Sequence, residues 1–195
     1  MRRTIVVGIV VLGACTHGRP VAVMDRDIYS AAIATMLPNG IGRPIIISEE
    51  AIPFPRRDES TVFDLIGSFE FDRPPAWLWK DAPMALRRAV ARQPSTERTR
   101  FTVAVFPPNA RVVPDAEIRT ALSFSGNWDH FTQHFRATSW QSFSKALITH
   151  DSRDAVLYYE LYCGGTCGHG AYLWLHRASL SSPWVRRSRV IVWMS

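Results

Sequence analysis

The densest group of residues that could do chemistry is the segment 163–170, which reads C-G-G-T-C-G-H-G. Its glycines permit the backbone conformations that a tight reversal between two strands needs. Cys163 and Cys167 could form a structural disulfide across this reversal, provided that their Cβ vectors converge. We favour that interpretation over two others. The cysteines could form a redox-active or metal site with His169, or one of them could act as a nucleophile assisted by His169.

The spacing of the two cysteines argues against a metal or redox site. Three residues lie between Cys163 and Cys167, whereas redox pairs and zinc ligands commonly have two between them. The whole chain contains only three cysteines, so a second pair of ligands is missing. A nucleophile needs a free thiol, which an oxidising compartment opposes.

Two histidines, His130 and His134, lie one turn apart on a predicted helix over Asn127–Phe135. Imidazoles in this arrangement can bind a metal ion, and with His169 they are the candidate metal ligands. The pair lacks the glutamate that follows the first histidine in zinc proteases. Solvated side chains on a helix surface are the simpler interpretation.

Glu160 lies inside a strand-like run of tyrosines and is the candidate acid. A carboxyl buried there would have a raised pKa, as catalytic carboxyls often do. The simpler alternatives are a solvent-facing position or pairing with Arg177 or Arg187 across strands. The surrounding aromatic residues indicate either core packing or an exposed platform for a glycan or a protein. They are Tyr158, Tyr162, Tyr172, Trp174, Trp184 and Trp193.

The amino terminus has the order of an export signal. Basic residues precede an apolar run over residues 4–14, which is shorter than the roughly 20 residues of a membrane-spanning helix. The run ends in Leu12-Gly13-Ala14-Cys15, which resembles the lipobox of bacterial lipoproteins. The resemblance implies cleavage before Cys15 and acylation of that cysteine, so that membrane lipid is the expected partner. With Thr16 rather than Asp next, it implies an outer membrane location facing the periplasm in a Gram-negative cell.

Composition agrees with an exported domain. If Cys15 carries lipid, Cys163 and Cys167 remain to pair in an oxidising compartment. The formal net charge of +6 is spread along the chain. We expect no nucleic-acid partner, because no binding motif accompanies this charge. No P-loop, dinucleotide-binding loop or Gly-x-Ser-x-Gly elbow occurs, and we expect no cofactor.

Hydrophobic periodicity predicts an α+β fold with helices and two short strands first. Residues 1–14 are the predicted signal peptide, 15–24 a tether and 25–195 a single domain. Asp25 is expected to cap the first helix, and the two short strands are expected at residues 43–48 and 101–106. Further helices are expected from about residue 83 to 92, over 115–122 and over 127–135.

The last third of the chain predicts an antiparallel sheet of about four strands, at residues 142–149, 155–162, 171–177 and 184–193. The two-residue period places Tyr158, Glu160 and Tyr162 on one face. This region is similar to uncharacterised secreted and lipid-anchored bacterial proteins with a Cys-Gly, Cys-Gly-x-Gly hairpin and a late tryptophan strand. The matching residues are Trp128, Phe131, Ser144, Cys163, Gly164, Cys167, Gly168, Gly170 and Trp184. The resemblance implies a shared fold and export, and brings no activity.

These observations predict a lipid-anchored cell-envelope protein that acts as a binding or structural module without catalysis. Its protein or glycan partner is not indicated by the sequence. One alternative is an envelope hydrolase whose active site is assembled from distant residues, since catalytic geometry need not be local. The other is a lipoprotein that handles metal ions or redox equivalents.

Overall fold

A computed structural model describes residues 21–36, 44–53, 82–92, 99–123, 127–164 and 167–195. The lipobox-like residues Leu12 to Cys15 lie outside these ranges. The described helices are α1 (Val21–Met36), α2 (Met84–Arg92), α3 (Asp115–Ser123) and α4 (Asn127–Phe135). The strands are β1 (Ile45–Ser48), β2 (Ala110–Val113), β3 (Trp140–Phe143), β4 (Leu147–Ile148), β5 (Asp154–Tyr162), β6 (Gly168–His176) and β7 (Val185–Met194). None of these helices is both long enough and apolar enough to cross a membrane.

The predicted mixture of helices and sheet is confirmed, but the sheet is larger than expected. The described strands form one seven-stranded sheet in the order β2-β1-β3-β5-β6-β7, with β4 paired to β5. Strands β3, β5, β6 and β7 are antiparallel, whereas β1 runs parallel to both β2 and β3. The two early strands therefore extend the C-terminal sheet. Every residue of β1 is buried, because apolar clusters cover both faces of the sheet at this strand.

The sheet has two differently covered faces. On the α1 face, Ile28 and Ala32 of α1 join a core with Leu157, Tyr159 and other residues of β5 and β6. We call the opposite side the Glu160 face. Two apolar clusters cover it, one around Ile46 and Phe131 and the other around Leu86 of α2, with Val156, Tyr158 and Tyr172. The expected alternation along β5 is thus confirmed.

Three local predictions differ from the structure, and one of them is the strand expected at residues 142–149, which is divided into β3 and β4. Residues 101–106 do not form a strand but a loop with a 3-10 turn at Val103–Val105, and the second early strand follows at β2. The rings of Phe101 and Phe106 both pack on Tyr29, at centroid distances of 5.3 and 4.9 Å. Both therefore enter the same core, which a regular alternation would not allow.

The first helix starts at Val21 rather than at Asp25, so residues 21–24 belong to α1 and not to the tether. Farther along α1, the Tyr29 hydroxyl donates to the carbonyl of Ser144 at 3.0 Å and accepts from the amide of Ala146 at 3.2 Å. These bonds satisfy irregular backbone between β3 and β4. They attach α1 to the C-terminal sheet across a long sequence separation.

Candidate functional site

The hairpin that joins β5 and β6 contains the predicted disulfide. Cys163 and Cys167 are bonded, with their Cα atoms 5.0 Å apart. The Cys163 amide also donates to the carbonyl of Cys167 at 2.7 Å. Gly164 has a φ of +126°, a conformation that side chains with a Cβ rarely adopt. The bonded cysteines therefore fix the turn, and neither has a thiol available as a nucleophile or metal ligand.

His169 lies on the α1 face, away from the other candidate metal ligands. Its Nε2 is 3.2 Å from the Tyr159 hydroxyl. Burial, with a contribution from Arg189, lowers the pKa of His169. The neutral imidazole is therefore favoured, and it acts as a hydrogen-bonding partner of a buried tyrosine.

His130 and His134 lie on α4 with their rings stacked at a centroid distance of 6.1 Å. The Nε2 atom of His134 is 3.1 Å from Oε1 of Glu117, which also lies 3.3 Å from Nη2 of Arg111. Among the residues that the structure describes, no group of three or more histidines, cysteines or acids could hold a metal ion. The geometry gives the predicted metal site no support.

Glu160 is the centre of a hydrogen-bonded aromatic group. Tyr158 donates its hydroxyl proton to Oε1 at 2.9 Å, and Tyr162 donates to Oε2 at 2.8 Å. The indole N–H of Trp193 on β7 in turn donates to the Tyr158 hydroxyl at 2.8 Å. Trp140 of β3 stacks on Tyr162 with centroids 4.4 Å apart and planes 15° from parallel. We call these five residues the Glu160 cluster.

The two tyrosines act as hydrogen-bond donors to the carboxylate. Burial is the main cause that raises the pKa of both Tyr158 and Tyr162, and the charge of Glu160 adds to it. Both hydroxyls therefore keep their protons at neutral pH. The carboxylate of Glu160 accepts one hydrogen bond from each of these hydroxyls.

Gly170 is required beneath the Glu160 cluster because a side chain there would overlap the cluster, and not because of the turn. Gly170 lies opposite Glu160 in the β5–β6 register. A Cβ at Gly170 would overlap Nε1 of Trp193 and the hydroxyl of Tyr158, and one at Gly168 would come within 3.3 Å of Cζ3 of Trp193. Neither glycine has the positive φ of Gly164. Gly168 and Gly170 leave room for the indole of Trp193. The tryptophan that packs against the Cys-Gly-x-Gly motif is therefore Trp193.

Neither predicted arginine partner pairs with Glu160, and Arg187 lies on β7 beside Trp174 and Leu175 of β6 rather than beside Gly170. Arg177 is buried, donates to the carbonyls of Ser152 and Leu180 at 2.7 and 3.1 Å, and lies over the ring of Trp184 at 4.5 Å. In the sheet, Glu160 is flanked by Ser142 and Gly170. Within the described part of the chain, Glu160 forms no ion pair.

A second group, on the same face but at the other end of β5, was not predicted. Oδ1 of Asp154 accepts from the Trp174 indole N–H at 2.7 Å and lies 3.0 Å from Nδ1 of His176. Asp154 and His176 are direct partners in the β5–β6 ladder. Asp154 precedes Cys163 by as many residues as His176 follows Cys167. Extending the antiparallel register outward from the two cysteines would therefore have predicted that Asp154 and His176 are partners.

No protein-family model, curated protein or solved structure matches the chain. Its function therefore has to be inferred from the residues themselves. The sequence left open whether the aromatic residues form core packing or an exposed platform, and they differ in this respect. Tyr158, Tyr172 and Trp184 are buried in packing, whereas Tyr162 and Trp193 are half-buried beside Glu160.

Proposed function

We propose that the protein is an exported, lipid-anchored cell-envelope protein whose α+β domain binds a ligand on the Glu160 face without catalysis. The observation that carries the export proposal is the bond between Cys163 and Cys167. Structural disulfides persist in oxidising compartments. With these two cysteines joined, Cys15 is the one cysteine left for acylation, in agreement with the lipobox-like residues before it.

Intact mass of the full-length protein extracted from membranes tests the anchor. We expect loss of residues 1–14, added diacylglycerol and acyl mass, and a mass deficit of two hydrogens for the disulfide. Cys15→Ser should give an unprocessed protein without lipid, whereas Cys163→Ser should still be lipidated. A wild-type protein that retains residues 1–14 and carries no lipid would refute the anchor.

The binding proposal is supported by the chemistry of the Glu160 cluster. It combines a half-buried carboxylate with aromatic rings, and two tyrosine hydroxyls donate their protons to that carboxylate. Hydrogen bonds among Glu160, the two tyrosines and Trp193, together with the stacking of Trp140 on Tyr162, hold the side chains in one orientation before a ligand arrives, which lowers the entropic cost of binding. Membrane tethering would keep this face at the envelope, where small solutes and other envelope components are available.

A hydrolase remains the second candidate because of Asp154 and His176. An aspartate at Nδ1 of a histidine orients the imidazole and leaves Nε2 as a potential base. Hydrolysis of ester, peptide or glycoside substrates that is lost in His176→Gln and retained in His130→Gln would establish this candidate. Equal rates in the wild type and His176→Gln would exclude His176 as the base. A metal or redox role has less support, since the hairpin cysteines are joined.

A further inference from the structure

The Glu160 cluster offers hydrogen-bond acceptors to a ligand and withholds its donors. The protons of Tyr158 and Tyr162 are donated to Glu160, and that of the Trp193 indole to Tyr158. The indole N–H of Trp140 is buried. Ser142, the neighbour of Glu160 on β3, is also buried. The polar atoms left to a ligand are therefore the carboxylate oxygens of half-buried Glu160 and the hydroxyl oxygen of half-buried Tyr162.

The carboxylate has unused capacity. An ionised carboxylate can accept about four hydrogen bonds, and each oxygen of Glu160 accepts one from a tyrosine. Among the described residues no cation neutralises it, although carboxylates removed from water are usually paired. A ligand with several N–H donors and a positive charge would fill the free acceptor positions of the carboxylate and supply a cation that the described residues do not provide.

The rings around Glu160 favour the same kind of ligand. Tyr162 lies between Trp140 and Trp193, with ring centroids 4.4 and 5.5 Å from its own. Aromatic faces attract ammonium and guanidinium groups through the ring quadrupole. A sugar hydroxyl both donates and accepts hydrogen bonds, and the cluster has no accessible donor to offer it.

We propose that the Glu160 cluster is a binding site for an organic cation, a guanidinium or ammonium group that donates to the free lone pairs of Glu160 beside the rings of Tyr162 and Trp193. This proposal rests on the binding role proposed above but not on the lipid anchor. The cation could be a free amine or guanidine, or a basic side chain of a polypeptide. Both sources present the same chemistry to the site.

Titration of the full-length protein with butylguanidinium, followed by the tryptophan indole N–H signals in NMR spectra, tests the proposal. Butylurea has nearly the same shape without the charge and is the matched ligand control. We expect butylguanidinium to shift the Trp193 signal and to bind at least tenfold more tightly than butylurea. Equal binding of the two compounds, or no shift at saturating concentration, would overturn the proposal.

Variants of Glu160 test whether its carboxylate is the group that binds the cation. Glu160→Gln keeps the shape of the side chain and removes the charge, so the affinity for butylguanidinium should fall at least tenfold. Glu117→Gln removes an equivalent carboxylate from α3 and should leave binding unchanged. If Glu160→Gln does not fold, Glu160→Asp keeps the charge on a shorter side chain and should weaken binding in a folded protein. Unchanged affinity in a folded Glu160 variant would refute the proposal.

The source of the cation is distinguished with a capped Gly-Arg-Gly peptide and free agmatine. Tighter binding of the peptide supports a polypeptide side chain, and tighter binding of agmatine supports a small amine; both outcomes support the cation site. Failure of all cations to bind a protein that still carries lipid would overturn the site and leave the anchor standing. Binding by a protein without lipid would refute only the anchor.

Discussion

Replacement of Gly170 by alanine tests whether glycine is needed at this position to leave space for the Trp193 indole. The new Cβ would lie 2.6 Å from Cδ1 of Trp193 and still closer to its Nε1. Because carbon atoms pack at about 3.5 Å or more, the indole must move by about 1 Å. That movement breaks the hydrogen bond from Trp193 to Tyr158, which contributes about 1 kcal/mol.

Overpacking at a buried position adds about 1–3 kcal/mol, so Gly170→Ala should lower the free energy of unfolding by about 2–4 kcal/mol. The sign is informative. At an unobstructed position without a positive φ, alanine in place of glycine would stabilise the fold by about 0.4–1 kcal/mol. Only the indole above Gly170 and the Tyr158 hydroxyl beside it reverse that expectation.

Urea denaturation followed by far-UV circular dichroism measures the loss, and a double-mutant cycle with Trp193→Ala assigns it. When the indole is already absent, the cost of Gly170→Ala should fall, because only the contact of the new Cβ with the Tyr158 hydroxyl remains. Gly168→Ala is a graded comparison: its Cβ would lie 3.0 Å from the Ser195 side chain and 3.3 Å from Cζ3 of Trp193, so it should cost less than Gly170→Ala. An equal cost of Gly170→Ala in the wild-type and Trp193→Ala backgrounds would refute this explanation of the glycine.

Three further predictions concern the hairpin and the core. Cys163→Ser with Cys167→Ser should lower the free energy of unfolding by about 2 kcal/mol, the chain-entropy value for so short a loop, and reductant should do the same to the wild type. Tyr29→Phe leaves the Ser144 carbonyl and the Ala146 amide without their partner, so urea denaturation should show a loss of about 1–3 kcal/mol; a change near zero would contradict it. Burial lowers the pKa of His169 in the folded protein. The contribution of His169 to stability is therefore complete above its unfolded pKa of about 6.5, and it declines as the pH falls through its lower folded pKa. His169→Gln should therefore reduce the loss of unfolding free energy between pH 7.5 and pH 5, and an unchanged pH dependence would contradict the reasoning.

Helices α3 and α4 and the antiparallel strands of the last third were predictable because their signals are local. An apolar residue at every third or fourth position, or at every second position, reports which side of one element faces the core. The alternation that separates Tyr158, Glu160 and Tyr162 from their neighbours is of this kind. The hairpin disulfide was predictable for the same reason, since only a few residues separate its cysteines.

The errors concern contacts between distant segments. The run of apolar residues 101–106 has the composition of a strand, but its phenylalanines pack on Tyr29 of α1 instead. The parallel pairing of β1 with β2 and β3 joins segments that are far apart in the chain. No local pattern in β1 specifies its neighbours, because a fully apolar strand fits any buried position.

The amino-acid sequence by itself determined the periodicity of β5, the turn that pairs the cysteines and the presence of a carboxylate among tyrosines. Each of these depends on the stereochemistry and polarity of adjacent residues. Only the tertiary structure decided that Trp193 crosses Gly170 to reach Tyr158 and that Trp140 stacks on Tyr162. Those contacts join β3, β5, β6 and β7, and they form because the sheet brings these strands together in one register while removing their aromatic surface from water.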